Sequence, residues 1–555
     1  MARGEGKGTL LLKNARVVNL FSSEVYLTDV VVYKEWIAGI GKGYRASEII
    51  DIKGKFLLPG FIDGHIHLES SLLTPSQFAR AVLPHGTTTV VIDPHEIANV
   101  LGVKGVEYML KATEGLPLDV YIMAPSCVPA SSLETPGAII TPHDIASLLR
   151  MDRVIGLGEV MDFLGVISNR EEFLEKITLA KIIDGHSPGL SGKDLMAYIT
   201  PGIYSDHECI KREEAEEKLR AGMRIMIREG SAAKNLSSLI GLVNWRNYRR
   251  FLLVSDDRNP EDLWEKGHMD YILQKAVSLG LDPIQGIAMV SLNPSEYFGL
   301  KERGAIAPGY RADMVVVEDL KGFNVEMVFK NGRLIPEDEG FTEHKEPYLY
   351  DTVRVAPLSI EQLKIPKREG RIRVIEVVPG QIITKDIKER PKVEKGYVVA
   401  DPERDILKLS VIERHHRAGT LGLGFVKGFG LKRGALGSSI AHDSHNIIIV
   451  SCSDKEMMLA LDRIIEMGGG LVVVGGEDIL SELPLPIAGL ISDMAVQSVS
   501  QKLKELKEKA KLLGCRLDDP FLTLSFLALP VIPELKLTDK GLVDVKKGEI
   551  VSLWA

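Results

Sequence analysis

Two histidines one residue apart, His65 and His67, end the apolar run Leu57-Leu58-Pro59-Gly60-Phe61-Ile62-Asp63-Gly64-His65-Ile66-His67. Side chains at i and i+2 of a strand point the same way, so the pair would present two imidazoles to one cavity, a spacing that suits metal ligation. Such pairs also occur on half-buried strands, and what favours ligation lies downstream. Glu159, His186, His207 and Asp256 each fall at or near the end of a later short apolar run. Four neutral imidazoles and two carboxylates suit a pair of divalent first-row metals. Two such ions against two carboxylates leave a positive balance to stabilise a hydroxide, whereas one ion would leave several of these ligands idle. The nitrogen and oxygen donors, with no thiolate, suit Mn2+, Fe2+ or Zn2+ and do not choose among them.

The elements that must position these six residues show as a repeated pattern. Between 58 and 303, apolar runs at 61–67, 88–93, 119–124, 153–160, 181–186, 201–207, 223–228 and 251–256 alternate with helix-period stretches. Eight such βα units predict a closed (β/α)8 TIM barrel, whose catalytic groups sit at the C-terminal ends of the strands. Short β-branched runs at 10–12, 15–19, 30–33 and 36–40 precede it, and a matching pattern returns at 304–317 and 325–334. The expected fold is therefore α/β: a metal-dependent barrel (58–303) inserted in a small β-sandwich (1–57 and 304–350), followed by a C-terminal α+β domain (351–555). Residues 335–368 read as a connecting segment, and within the last part 447–450 reads as a buried strand and 496–513 as a helix.

Composition narrows the class. Over 555 residues, 45% apolar and 26% charged content is that of an ordinary globular protein. A net charge of -8 argues against nucleic acid as a partner and favours a small substrate. Cys127, Cys209, Cys452 and Cys515 have no CxxC spacing, so no disulfide framework is indicated and a reducing cytoplasm fits best. The short, polar N-terminus lacks a signal-peptide core, and proline-interrupted apolar stretches exclude a membrane reading.

Several motifs carry a resemblance. Pro59 through His67, the ligand order His, Glu, His, His, Asp, and Gly309-Tyr310-Arg311-Ala312-Asp313 resemble the amidohydrolase superfamily. Within it, the chain closely resembles the bacterial and archaeal adenine deaminases. This rests on Asp93-Pro94-His95-Glu96-Ile97-Ala98-Asn99-Val100, Ser131-Ser132-Leu133-Glu134-Thr135-Pro136-Gly137-Ala138, Gly185-His186-Ser187-Pro188, Ser205-Asp206-His207-Glu208 and Ser255-Asp256-Asp257. It is reinforced by the third unit, at 415–430 and 441–446, so the resemblance covers nearly the whole chain. Many binuclear superfamily members bridge their metals with a carboxylated lysine on the fourth strand; here Glu159 stands there, a departure that the adenine deaminases share.

The resemblance implies hydrolysis of adenine to hypoxanthine and ammonia in purine salvage, by a hydroxide activated at two divalent metals, in a homodimer. Asp256 would take the proton of the attacking water and deliver it to the departing amine. A second acid, Glu208 or Glu96, would protonate the ring. Glu134 reads equally as solvated surface or purine contact. His442, Asp443 and His445 read as an active-site contribution over a merely hydrogen-bonded turn. The glycines of 419–430 read as turn packing rather than a phosphate cradle, and 211–220 as an exposed helix face. Two other functions compete: hydrolysis of a cyclic amide, an N-acyl group or another aminopurine on the same barrel, and a noncatalytic scaffold. The lack of a carboxylated lysine and the third domain speak against the first, and the full set of six ligands against the second.

Overall fold

The computed structural model describes residues 1–336 and 347–555, so 337–346 of the expected connecting segment lie outside the described residues. Lys7–Asn19 is one long strand rather than two, with a bulge between Leu12 and Ala15 where Asn14 takes φ 54°. Its first half pairs with Arg45–Asp51 and its second with Phe56–Pro59, so the sheet divides around the bulge. Met314–Val317 pairs with Phe56–Pro59 and continues into Val325–Lys330, joining the two distant stretches into one eight-stranded sheet. Its faces enclose Leu10, Leu12, Val30, Leu57, Met314 and Phe329.

Between these stretches, eight parallel strands form the barrel: Phe61–Ile66, Thr87–Ile92, Asp119–Ala124, Val154–Val160, Ile183–Gly185, Ser205–Asp206, Arg224–Arg228 and Phe251–Val254. They are the expected eight, nearly all buried, with apolar residues from Val, Ile, Leu and Phe interrupted by polar ones such as Asp63, His65, Glu159 and Arg228. The ring closes where Asp256 N–H donates to the His65 carbonyl at 3.0 Å, next to a parallel bridge between Ile66 and Asp256. At the fifth and sixth strands the seam is held by Gly185 N–H donating to the Ser205 hydroxyl at 3.2 Å. Only glycine allows that approach, because a Cβ on Gly185 would lie 2.2 Å from the Ser205 carbonyl oxygen.

The third domain is built on a second eight-stranded sheet, antiparallel except where Ile372–Val377 runs parallel to Leu421–Lys427. Ile447–Ser451 is one of its strands, and Val496–Leu512 is a helix, as expected. Of the glycines expected as turn packing, Gly419, Gly428 and Gly430 lie outside the strands with positive φ, whereas Gly422 and Gly424 lie in the strand Leu421–Lys427. The reason is steric: a Cβ on Gly422 would meet the Thr538 carbonyl oxygen at 1.9 Å, so backbone lies directly on this strand. The charged helix Arg212–Arg220 is not wholly exposed either. Lys218 is buried, donating to the Ser187 carbonyl at 2.7 Å and pairing with Asp206 at 3.0 Å.

This domain sits on the C-terminal face of the barrel and shares its core, where Leu68, Leu72 and Leu73 join one cluster with Ile487, Val496 and Leu503. Polar ties reinforce the junction. Thr135 donates to Asp539 at 2.7 Å through its hydroxyl, Thr538 to the Leu133 carbonyl at 2.6 Å, and Lys507 pairs with Glu261 at 2.8 Å.

Candidate metal centre and its roof

Five of the eight strands deliver the expected ligands to one buried cluster, because the last residues of parallel barrel strands converge on the same mouth. His67 Nε2 lies 3.3 Å from both Glu159 Oε1 and Asp256 Oδ1, and His65 Nε2 lies 3.6 Å from Asp256 Oδ1. His207 Nε2 is 3.1 Å from Glu159 Oε2, and His186 Nδ1 is 2.6 Å from the same oxygen. Thus Glu159 turns one oxygen to His67 and the other to His186 and His207, the disposition of a bridging carboxylate.

Ligands about 2.1 Å from a shared ion sit roughly 3.0–3.4 Å apart, and several of these N···O spacings fall there. Buried His65 Nε2 and His186 Nε2 have no hydrogen-bond partner, and burying a polar atom unpartnered is costly. Triads able to hold an ion include His65, His67 and Asp256, and His65, Glu159 and His207. Burial disfavours charge on the imidazoles of His67 and His207, yet the Glu159 and Asp256 carboxylates outweigh it and raise both above the usual histidine range. The pocket's field therefore favours positive charge, and the residues fit a divalent metal pair.

Supporting residues fix this geometry. The Asp93 carbonyl lies 3.0 Å from His67 Nδ1, which places the proton there and leaves Nε2 free for a cation. Asp93 Oδ2 accepts from Glu159 N–H at 2.8 Å, and Gly158 makes room, since a Cβ there would fall 2.2 Å from that oxygen. Asp256 takes φ 59°, a left-handed backbone held by its bonds to both neighbours of the ring closure.

Arg228 was not among the expected site residues, yet it ends the seventh strand and joins two of them. Its guanidinium donates to both oxygens of Glu208, at 2.9 Å for Nη2 to Oε2, and to Asp256 Oδ2 at 2.7 Å. Burial pushes Glu208 up, but Arg228 and His186 pull it down to about 2. His95 was quoted only within a motif; its Nδ1 lies 3.5 Å from Glu159 Oε1, inside the cluster. For both, the signal available was position immediately at or after a barrel strand end.

The third domain supplies the roof. His442 Nδ1 lies 2.7 Å from Glu96 Oε1, and His445 meets the other oxygen. Burial works against ionisation of Glu96, but His442, His445 and His95 hold it well below the usual carboxylate range. The His442 ring stacks on Phe526 with centroids 4.4 Å apart. His442 and Asp443 line a small chamber over the cluster, together with Ile382, Phe526, Leu529 and Ile532. Burial lifts Asp443 to about 6. His445 and Glu134 stand outside that lining. Glu134 is buried, not solvated, and burial and the neighbouring Asp443 raise it well above the usual range.

The chain was compared with known proteins. The amidohydrolase family model matches residues 56–335, and the adenine deaminase C-terminal domain model matches 381–549. An adenine deaminase of Dehalococcoides mccartyi is 47% identical over 557 residues, covering 99% of this chain and 98% of the relative. The chain belongs to the adenine deaminase family. A second adenine deaminase, from Desulfatibacillum aliphaticivorans, is 48% identical over 561 residues, covering 100% of this chain and 98% of its own. A solved β-aspartyl dipeptidase from Fervidobacterium islandicum AW-1 matches 59% of this chain and 96% of its own, at 19% identity and TM-score 0.46. Among the described residues, no helix is long and apolar enough to cross a membrane.

Proposed function

We propose that the chain hydrolyses adenine to hypoxanthine and ammonia at the histidine and carboxylate cluster, with His65, His67, Glu159, His186, His207 and Asp256 holding two divalent ions. The observation that carries the substrate is whole-length similarity to adenine deaminases, through both the barrel and the third domain. Ions held there would supply Lewis acidity and bring the pKa of water from ~15.7 to near ~7.

Asp256 faces both first-strand imidazoles through Oδ1, which suits it to take the proton of the attacking water and pass it to the leaving amine. Its other oxygen is tied to Arg228, which holds the carboxylate in place. For the ring proton, the pairing of Glu96 with His442 favours Glu96 over Glu208: a hydrogen-bonded carboxylate and imidazole can relay a proton, whereas Glu208 is clamped as an anion by Arg228. Asp443, at the roof, is the proposed substrate contact, with Glu134 and His445 acting behind it and behind His442.

Mn2+ is the proposed ion, with Fe2+ or Zn2+ as alternatives, since the donors are nitrogen and oxygen only. A homodimer in purine salvage rests on family membership, and a cytoplasmic location on four cysteines that form no disulfide. Ultraviolet spectroscopy of adenine conversion to hypoxanthine tests the assignment. Turnover by the Mn2+-loaded chain, abolished in Glu159→Gln, is expected; a protein that binds metal but leaves adenine untouched would refute the substrate.

A further inference from the structure

Two short third-domain segments close the chamber from above: residues 379–383, and the turn after the helix Pro520–Phe526. Ile382 from the first segment, Phe526 at the end of that helix, and Leu529 and Ile532 from the turn face the metal cluster, with partly buried Ile382 packed against the small apolar cluster of the other three. On the outer side, Ile382 and Ile532 also line an open vestibule of about 1210 Å³, together with Ala233, Glu208 and Arg228. These residues therefore form the partition between the vestibule and the chamber. The barrel side of the chamber is mainly imidazole and carboxylate, so the third domain supplies the apolar contact that pockets for flat aromatic ligands require.

Behind the partition stands Lys536, fully buried on the strand Leu535–Thr538. Its ammonium donates to the Ile382 carbonyl at 2.8 Å and to the Phe526 carbonyl at 2.8 Å. Burial pulls this ammonium down to about 7. A buried lysine is costly, and an apolar side chain would fill the place without that cost. What the lysine adds is a fork joining two separate segments of the roof. Residues 379–381 are exposed; the Gln381 N–H donates to the Val378 carbonyl at 3.1 Å, and the loop's far end is anchored at Thr384, whose N–H donates to the Pro533 carbonyl at 3.0 Å, whose hydroxyl donates to the Leu535 carbonyl at 2.8 Å and whose carbonyl accepts from Glu534 N–H at 3.2 Å.

We propose that Lys536 is a positioning residue for adenine: it holds Ile382 and Phe526 at the separation that forms an apolar slot for the purine above the metal cluster, with Ile382 as the edge the substrate passes. The assignment rests on the deaminase function proposed above. Nothing in the slot reacts. Its contribution is to binding and orientation, which is read in KM more than in kcat.

The test is steady-state kinetics of the metal-loaded full chain carrying Lys536→Met, Ile382→Ala, or both, with metal content measured in parallel. Lys536→Met should raise KM for adenine about tenfold, with kcat kept within about threefold and metal content unchanged. Ile382→Ala should also raise KM, and the double variant should be no worse than Lys536→Met alone, because both act on one contact. A merely structural lysine would lower the folded fraction, and with it kcat per mole of protein, without moving KM. Unmoved KM in the variants, or fully additive effects, would overturn the assignment. If Lys536→Met does not fold, Ile382→Ala decides: an unchanged KM there is equally fatal. Wild-type protein inert toward adenine would sink the deaminase reading and this one together, whereas active wild type with unmoved KM sinks this one alone.

Discussion

On the barrel side of the chamber, every candidate ligand stands on or just beyond a strand of the closed ring, and Glu159 and Asp256 share their oxygens among several imidazoles. On the third-domain side, the wall is Ile382, Phe526, Leu529 and Ile532, carried by turns and tied from behind by one lysine. The difference follows from what each side must do. A cation tolerates little error in the placing of charge, so its ligands belong on the most rigid elements available. A substrate has to enter and leave, so the groups over it belong on segments that can be displaced at small cost.

Substitutions on the two sides should therefore fail in different ways. The largest loss is expected at Asp256→Asn, where kcat in metal-loaded protein should drop by roughly 10³-fold or more, since the base and a charge beside the ions go together. A drop in KM alone would contradict the role. Next comes Arg228→Met, which takes away the guanidinium shared by buried Glu208 and Asp256 and leaves only imidazoles to offset them. Urea unfolding should show a stability loss of about 3 kcal/mol or more.

The same pair has a pH signature. Glu208 is depressed in the folded chain to about 2, so its stabilisation is complete above its unfolded value of about 4.3 and is lost as pH falls toward 2. Acid denaturation of Glu208→Gln should accordingly be flatter across that window than that of the unaltered chain. On the roof, Phe526→Ala should raise KM for adenine roughly tenfold while leaving metal content unchanged, because it removes an aromatic wall and no ligand. The smallest effect is expected far from both sides. Arg220→Ala, on the solvent side of the helix Arg212–Arg220, breaks a pair with Glu216 at 3.1 Å and should change stability by less than ~0.5 kcal/mol.

The barrel and the cluster of candidate ligands were legible in the chain because both are written locally. Each strand is a short apolar run, and each ligand is the polar residue that ends it, so strand count and ligand order can be read together. Arg228 obeys the same rule and went unnoticed because arginine is not a ligand type; its role appears only once Glu208 and Asp256 are seen on either side of it. The roof was legible only in part. The cluster at 442–445 stood out for its density of polar groups, but the partner of His442 is Glu96, from a distant part of the chain. Lys536 has no local mark at all, since a lone lysine in a short strand reads as a solvated edge. Gly422 misled in the other direction: dense glycine suggests turns, whereas here it clears space for another backbone.

The most direct test of the account is a metal titration. Protein stripped of metal and titrated with Mn2+ should bind two equivalents, with adenine deamination rising in step until both are bound, as the shared Glu159 between two ligand groups requires. Full activity at a single bound equivalent would contradict the bridged pair.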